Sequence, residues 1–212
     1  MARETSQTLD RGLTVLEHVA AHPEGMTVNQ IAAALGVGRT VVYRLIATLE
    51  DHQMVRRDPA GRVVLWTGVA PLTRALEPLL RNAATPVLKV LAEQCSATAH
   101  LSVTEGDDAV AVAVVEPAGW QQPPVLREGF RQSLARGAAG RAVLRVREGS
   151  PALVVSASES GAAQEIAAPV LGVPGLEAGV GVVSLRPLDP SAGQAVVRAA
   201  ADLRDALSRR TG

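Results

Sequence analysis

Five side chains stand out as a group that could do chemistry together: Arg39, Thr40, Tyr43, Arg44 and Thr48. Their spacing lets one helix turn all of them to the same side, while Val42, Leu45, Ile46 and Leu49 form an apolar stripe on the other. The types match the chemistry of a nucleic-acid groove. Guanidinium groups hold phosphates or read guanine with two parallel hydrogen bonds, and hydroxyls bond to phosphates or base edges. Arg39 and Thr40 fall where such a helix would begin, the end that meets bases and phosphates in recognition helices. A second group, Arg56, Arg57 and Arg62, flanks the turn sequence Asp58-Pro59-Ala60-Gly61 and would suit a hairpin laid along a DNA backbone. The same polar face also fits a solvated helix surface or a protein-interaction module, and composition does not separate them. Residues 1–66 hold basic and acidic side chains in equal number, as does the whole chain with 21 of each.

Catalytic and metal chemistry find no such constellation. His18, His22, His52 and His100 are scattered, with no HExxH spacing, no G-x-S-x-G elbow and no P-loop. Cys95 is the single cysteine, which excludes a disulfide framework and a cysteine-based zinc site and fits a reducing compartment. The expectation is therefore a protein that is not an enzyme and carries no metal or cofactor. The opening "MARETSQTLDRG" lacks an apolar signal core, and no apolar run reaches spanning length, so a cytoplasmic protein with no membrane partner is expected.

The elements that would carry these residues can be read from periodicity. Leu9, Leu13, Leu16, Val19 and Ala20 predict a first helix, stopped by Pro23 and Gly25. Thr27 and Gln30 form a capping-box pair opening a short second helix that ends at Leu35. Gly36 supplies the positive φ of the turn, Ala32 leaves room for close helix contact, and a third helix runs from about Gly38 to His52. Two β-prone runs around Asp58–Gly61 complete a winged helix-turn-helix over residues 1–67.

Residues 68–84 read as a linker helix, with Pro71, Pro78 and Pro86 breaking the region into pieces before a helix at Thr85–Cys95. Residues 85–212 then mix strand-like runs ("TAHLSVTE", "AVAVAVVE", "ALVVSAS", "EIAAPVL", "VGVVSLR") with a helix at "AAGRAVLRV" and a closing helix from Ser191 to Arg209. The order predicts an α+β domain on an antiparallel sheet. With 47% apolar residues but 2% aromatics, its core must be built from Ala, Val and Leu.

The stretches "SQTLDRGLTVLEHV", "MTVNQIAAALGVGRTVVYRLIATL", "VRRDPAGRVVL", "PVLKVLAEQCSATAHLSV", "GFRQSLARGAAGRAVL" and "EIAAPV" resemble, in order and spacing, the isocitrate-lyase-regulator (IclR) family of bacterial transcription factors. The resemblance implies a winged helix-turn-helix domain, a linker helix and a GAF-like effector domain that binds a small organic acid. It also implies homodimers or tetramers on palindromic double-stranded DNA operators. It assigns Arg39, Thr40, Tyr43 and Arg44 to the recognition helix and Arg62 to the wing. Val41 departs from the family's usual Thr, and Arg141 and Ser133 from its usual Lys and Pro. The stretch between "GRAVL" and "EIAAPV" is about thirty residues shorter than the family pattern, so the effector domain reads as reduced.

Six residues are candidates for effector binding: His100, Ser102, Trp120, Ala139, Gly140 and Glu159. His100 and Ser102 alternate along one strand and share a face. Ala139 and Gly140 open a helix whose backbone N–H groups could hold an anion. Trp120 sits in a Pro-rich loop where it could cover a cavity, and Glu159 aligns with a polar pocket position of the family. Each also has an ordinary structural reading: a core histidine, a closely packed helix start, a sheet cap, an exposed loop carboxylate.

Overall fold

The structure is a computed structural model and describes residues 5–119, 126–157 and 163–208. The chain forms two compact units, residues 1–76 and 77–212.

In the first unit, α1 (Gln7–Ala20), α2 (Val28–Leu35) and α3 (Arg39–Asp51) precede a hairpin of β1 (Val55–Arg57) and β2 (Val63–Leu65). Local chemistry sets each boundary. Ser6 caps α1, and the capping box at α2 is complete, with Gln30 N–H donating to Thr27 Oγ1 and Thr27 N–H to Gln30 Oε1. Gly36 ends α2 at φ +65°, so its lack of a side chain is required by conformation. The axes of α2 and α3 then turn by 109°, within the helix-turn-helix range. Val15, Val19, Ile31, Val42, Leu45, Ile46, Val55 and Val63 close a small core, with Ala32 packed at its rim. Leu9 and Leu13, counted by periodicity towards that core, are instead exposed, because Val15 and Val19 carry the buried stripe of α1. At the hairpin, Gly61 N–H donates to the Asp58 carbonyl across Pro59, as the turn sequence predicts.

The proline-broken region is a correction. Residues 70–95 form one continuous helix, α4 (Ala70–Cys95), with Pro78 and Pro86 inside it, rather than a linker helix followed by a separate one. Pro71 sits in the first turn, where its missing N–H costs nothing. Pro78 and Pro86 deprive the carbonyls of Arg74 and Asn82 of their donors. All four residues lie on one exposed stripe, so solvent replaces what the prolines remove.

The second unit is built on a six-stranded antiparallel sheet in the order β5-β4-β3-β8-β7-β6. The strands are β3 (Thr98–Glu105), β4 (Asp108–Val115), β5 (Arg131–Ser133), β6 (Val154–Ala157), β7 (Gln164–Pro169) and β8 (Ala178–Ser184). The short edge strand β5 was not legible from apolar pattern, because Arg131, Gln132 and Ser133 are all polar. Helix α5 (Gly137–Arg147) crosses from one edge of the sheet to the other, and α6 (Ala192–Ser208) closes the chain.

Alternation in β3 assigns the two faces. Ala99 and Leu101 join Leu88 and Leu91 of α4 and Val196 and Leu203 of α6 in the main core. The opposite face takes α5, with Ala138 and Ala142 packed on Val154 and Ala167. There the sheet is thinned by glycine: a Cβ on Gly179 would lie 3.1 Å from the Ala139 carbonyl oxygen, so α5 rests nearly on the backbone of β8. Ala and Gly replace the missing aromatic bulk by allowing close approach. The α+β class and the antiparallel second domain are as the sequence indicates.

Candidate nucleic-acid interface

Packing of α3 on the first core leaves Arg39, Thr40, Tyr43, Arg44 and Thr48 on its outer side, all exposed. Val41 shares that side at 37% exposure, so a β-branched apolar group stands among the polar ones. Gly38 caps α3 without a side-chain bond, which leaves first-turn N–H groups of Arg39 and Thr40 open to an anion. The guanidinium groups of Arg39 and Arg44 have no hydrogen-bond or ion-pair partner among the described residues. The Thr48 hydroxyl donates to the Arg44 carbonyl and keeps its lone pairs for a further donor.

The hairpin arginines are engaged differently. The Arg56 guanidinium stacks 3.6 Å over the Trp66 ring. Arg57 pairs with Glu50 of α3 at 3.4 Å and lies 5.5 Å over the Tyr43 ring, tying the wing to the third helix. Arg62 is turned inward, its Nη1 donating to the Gly25 carbonyl at 2.8 Å. Arg56, Arg57 and Arg62 do flank the hairpin turn, and each is held by the protein, on Trp66, Glu50 and the Gly25 carbonyl respectively. Gly68, overlooked in the sequence, seats the wing's exit, since a Cβ there would fall 2.5 Å from the His52 carbonyl oxygen.

In the second unit, His100 and Ser102 do share a face, and His100 Nδ1 lies 3.2 Å from Ser102 Oγ, both side chains buried. Burial pushes the His100 pKa below its usual value, against a smaller opposing pull from Glu165. The imidazole is thus neutral near pH 7. Thr98 continues the row, and its Oγ1, like His100 Nε2, lacks a hydrogen-bond partner among the described residues.

The expected open N–H groups at the start of α5 are a correction. They are occupied by Glu165, whose Oε2 accepts from Ala138 N–H at 2.6 Å and whose Oε1 accepts from Ala139 N–H at 3.1 Å. Gly140 serves packing, since a Cβ there would fall 2.7 Å from the Leu134 carbonyl oxygen. Trp120 and Glu159 lie outside the described residues. Glu165 was missed, yet its signal was present: in "QEIAAPV" it shares strand parity with buried Ala167, which places a carboxylate on an inward face.

The first unit is a winged helix-turn-helix domain and the second is built on an antiparallel sheet. Residues 8–59 match the IclR helix-turn-helix domain. The chain is 28% identical over 102 residues to the transcriptional regulator TtgV of Pseudomonas putida, an alignment covering 48% of this chain and 39% of that one. It is 30% identical over 115 residues to the DNA-binding transcriptional repressor YiaJ of Escherichia coli, covering 53% and 41%. The chain thus spans about half or less of the length of these curated relatives. In fold it is similar to an IclR-family regulator from Rhodococcus sp., at TM-score 0.60 and 16% identity over 98% of this chain and 97% of that one. It is also similar to an IclR homologue from Microbacterium hydrocarbonoxydans complexed with 4-hydroxybenzoate, at TM-score 0.53 and 14% identity, over 95% and 99%. Residues 8–59 are thus an IclR-type helix-turn-helix domain, and the curated relatives named here are transcription regulators.

Among the described residues no single helix is long and apolar enough to cross a membrane.

Proposed function

We propose that the protein regulates transcription as a cytoplasmic homodimer that reads a two-fold-symmetric DNA operator through α3. The observation that carries this reading is the exposed, unpaired Arg39 and Arg44 beside Thr40, Tyr43 and Thr48 on one side of that helix. Guanidinium groups with no internal partner break no protein contact when they meet a phosphate or a guanine edge. Arg57 sets the distance of the wing from α3, while Arg56 and Arg62 shape the wing more than they contact DNA. Two subunits would place their recognition helices in successive major grooves.

Self-association is supported by apolar side chains left outside both cores. On α4, Leu72, Leu76, Leu79 and Val90 are exposed at helical spacing, and Leu9 and Leu13 are exposed on α1. Such residues repeat at the 3–4 intervals of a helix–helix seam.

A small organic acid is the effector class that fits the second domain, in keeping with the 4-hydroxybenzoate held by the Microbacterium relative. His100 and Ser102 are the described candidates that remain for its site, since Glu165 holds the Ala139 N–H and Gly140 packs on the Leu134 backbone. A second reading, regulation without a free effector, is favoured by Glu165, because its carboxylate already occupies the N–H groups that an acid would seek.

Footprinting on DNA flanking the gene for this chain tests the function. Protection of a symmetric site at low salt is expected. A folded dimer that leaves all such DNA unprotected would return the winged helix to a protein-interaction role.

A further inference from the structure

Glu165 caps α5 in an unusual way. The N-cap residue itself, Arg136, makes no side-chain cap bond. The capping group comes instead from β7, more than twenty residues along the chain. Its carboxylate also accepts from Ser156 Oγ on β6 at 3.3 Å. His100 Nε2, fully buried and without a hydrogen-bond partner among the described residues, faces Glu165 Oε1 at 3.7 Å. Gly137 admits the carboxylate: it holds φ +65°, and a Cβ there would lie 2.9 Å from Glu165 Oε2. Gly181 does the same for the imidazole, since its Cβ would fall 3.0 Å from His100 Nε2. Donors from two separate elements, with His100 from a third, thus converge on one carboxylate, and glycines keep the space around it open.

We propose that Glu165 is a tethered ligand, whose carboxylate fills a carboxylate-binding site built from the α5 N-terminus, the Ser156 hydroxyl and the buried edge of His100. An ordinary helix cap needs one or two N–H groups, a small adjacent residue and no buried imidazole. Here the donor set is that of a small-molecule carboxylate site, and the chain supplies its own occupant. The side chain is 15% exposed, so once the tether is cut an acid of acetate size can reach the position from solvent. The site belongs to short monocarboxylates, because the space is that of a single glutamate side chain. Its regulatory consequence rests on the DNA-binding reading: a domain held in its carboxylate-bound form has no need of free effector.

The test is chemical rescue in the full-length chain. Glu165→Ala removes the carboxylate and leaves room for acetate. The variant should melt below the wild type, and sodium acetate should raise its midpoint saturably, by about 3–6 °C at tenfold excess over the dissociation constant. Sodium chloride at equal ionic strength and neutral acetamide should not, and acetate should add nothing to the wild type beyond the chloride effect. Equal responses of variant and wild type to acetate would overturn the proposal.

If the Ala variant does not fold in chloride, recovery of folded protein on refolding in acetate is the expected result, and failure in both salts counts against the site. Glu165→Gln keeps the shape and fills the space, so it should be less stable than the wild type and blind to acetate. Wild-type stability in that variant would reduce Glu165 to a neutral cap. Operator titration is a separate arm: acetate should return the operator affinity of Glu165→Ala to the wild-type value. Absence of DNA binding by the wild type would refute the function and leave the thermal result standing.

Discussion

Replacing Arg44 by Ala separates a groove-reading face from a solvated one. The guanidinium is exposed and makes no internal hydrogen bond or ion pair among the described residues. The bond from the Thr48 hydroxyl goes to the Arg44 backbone carbonyl, which the substitution leaves intact. Folding stability should therefore change by less than about 0.5 kcal/mol, the range for surface positions without special contacts. DNA affinity should fall by about 1–3 kcal/mol, or roughly 5- to 150-fold, if the side chain reads a base.

Fluorescence anisotropy with a labelled operator duplex, from about 50 to 200 mM salt, distinguishes the modes. A base contact gives a loss that depends on sequence and leaves the salt slope nearly unchanged. A phosphate contact gives a uniform loss and lowers the slope by about 0.9. Arg44→Lys keeps the charge but loses the fork, so it should preserve the slope while losing discrimination. Unchanged affinity and unchanged slope in Arg44→Ala would remove Arg44 from the interface. Arg62→Ala is the contrast: losing its bond to the Gly25 carbonyl should cost about 1 kcal/mol of stability, read as a lower urea midpoint, with little change in DNA affinity.

Three further outcomes are expected. Thr27→Ala removes one half of a complete capping box and should cost about 1 kcal/mol, read as a lower thermal midpoint. His100 is depressed by burial from an ordinary value of 6.5, so the unfolded chain takes up the proton first. Its stabilising contribution is complete above that pH and is lost as pH falls from there towards the lower folded-state value, with a limiting slope of about 1.4 kcal/mol per pH unit; urea midpoints from neutral to mildly acidic pH should flatten in His100→Gln. Leu79→Glu places a charge on the exposed α4 stripe and should shift the mass measured by light scattering from dimer towards monomer, with the circular dichroism spectrum retained.

The first unit was the more legible because its signals are local. Thr27 with Gln30, Gly36 and the Asp58–Gly61 turn each specify a boundary within a few residues. The outward face of α3 followed from the apolar stripe alone. What those outward groups touch did not, since the Arg62–Gly25 and Arg56–Trp66 contacts depend on tertiary placement. The continuity of α4 escaped a local reading for the same reason: Pro78 and Pro86 are tolerated where the freed carbonyls can turn to solvent, and here they lie on an exposed stripe. In the second domain the strands showed as apolar runs, but their order in the sheet did not. Without that order, Glu165 of β7 could not be set beside the start of α5, or His100 of β3 beside either.

The proposed function has α3 reading DNA through its open arginines, in two copies. In vitro selection from a randomised duplex pool tests it most directly, with the wild type and Arg39→Ala/Arg44→Ala run side by side. The wild type should enrich an inverted repeat, its half-site centres about 10 base pairs or a multiple apart. The double variant, equally well folded, should enrich nothing. No enrichment by the wild type, or the same sequence enriched by both proteins, would contradict it.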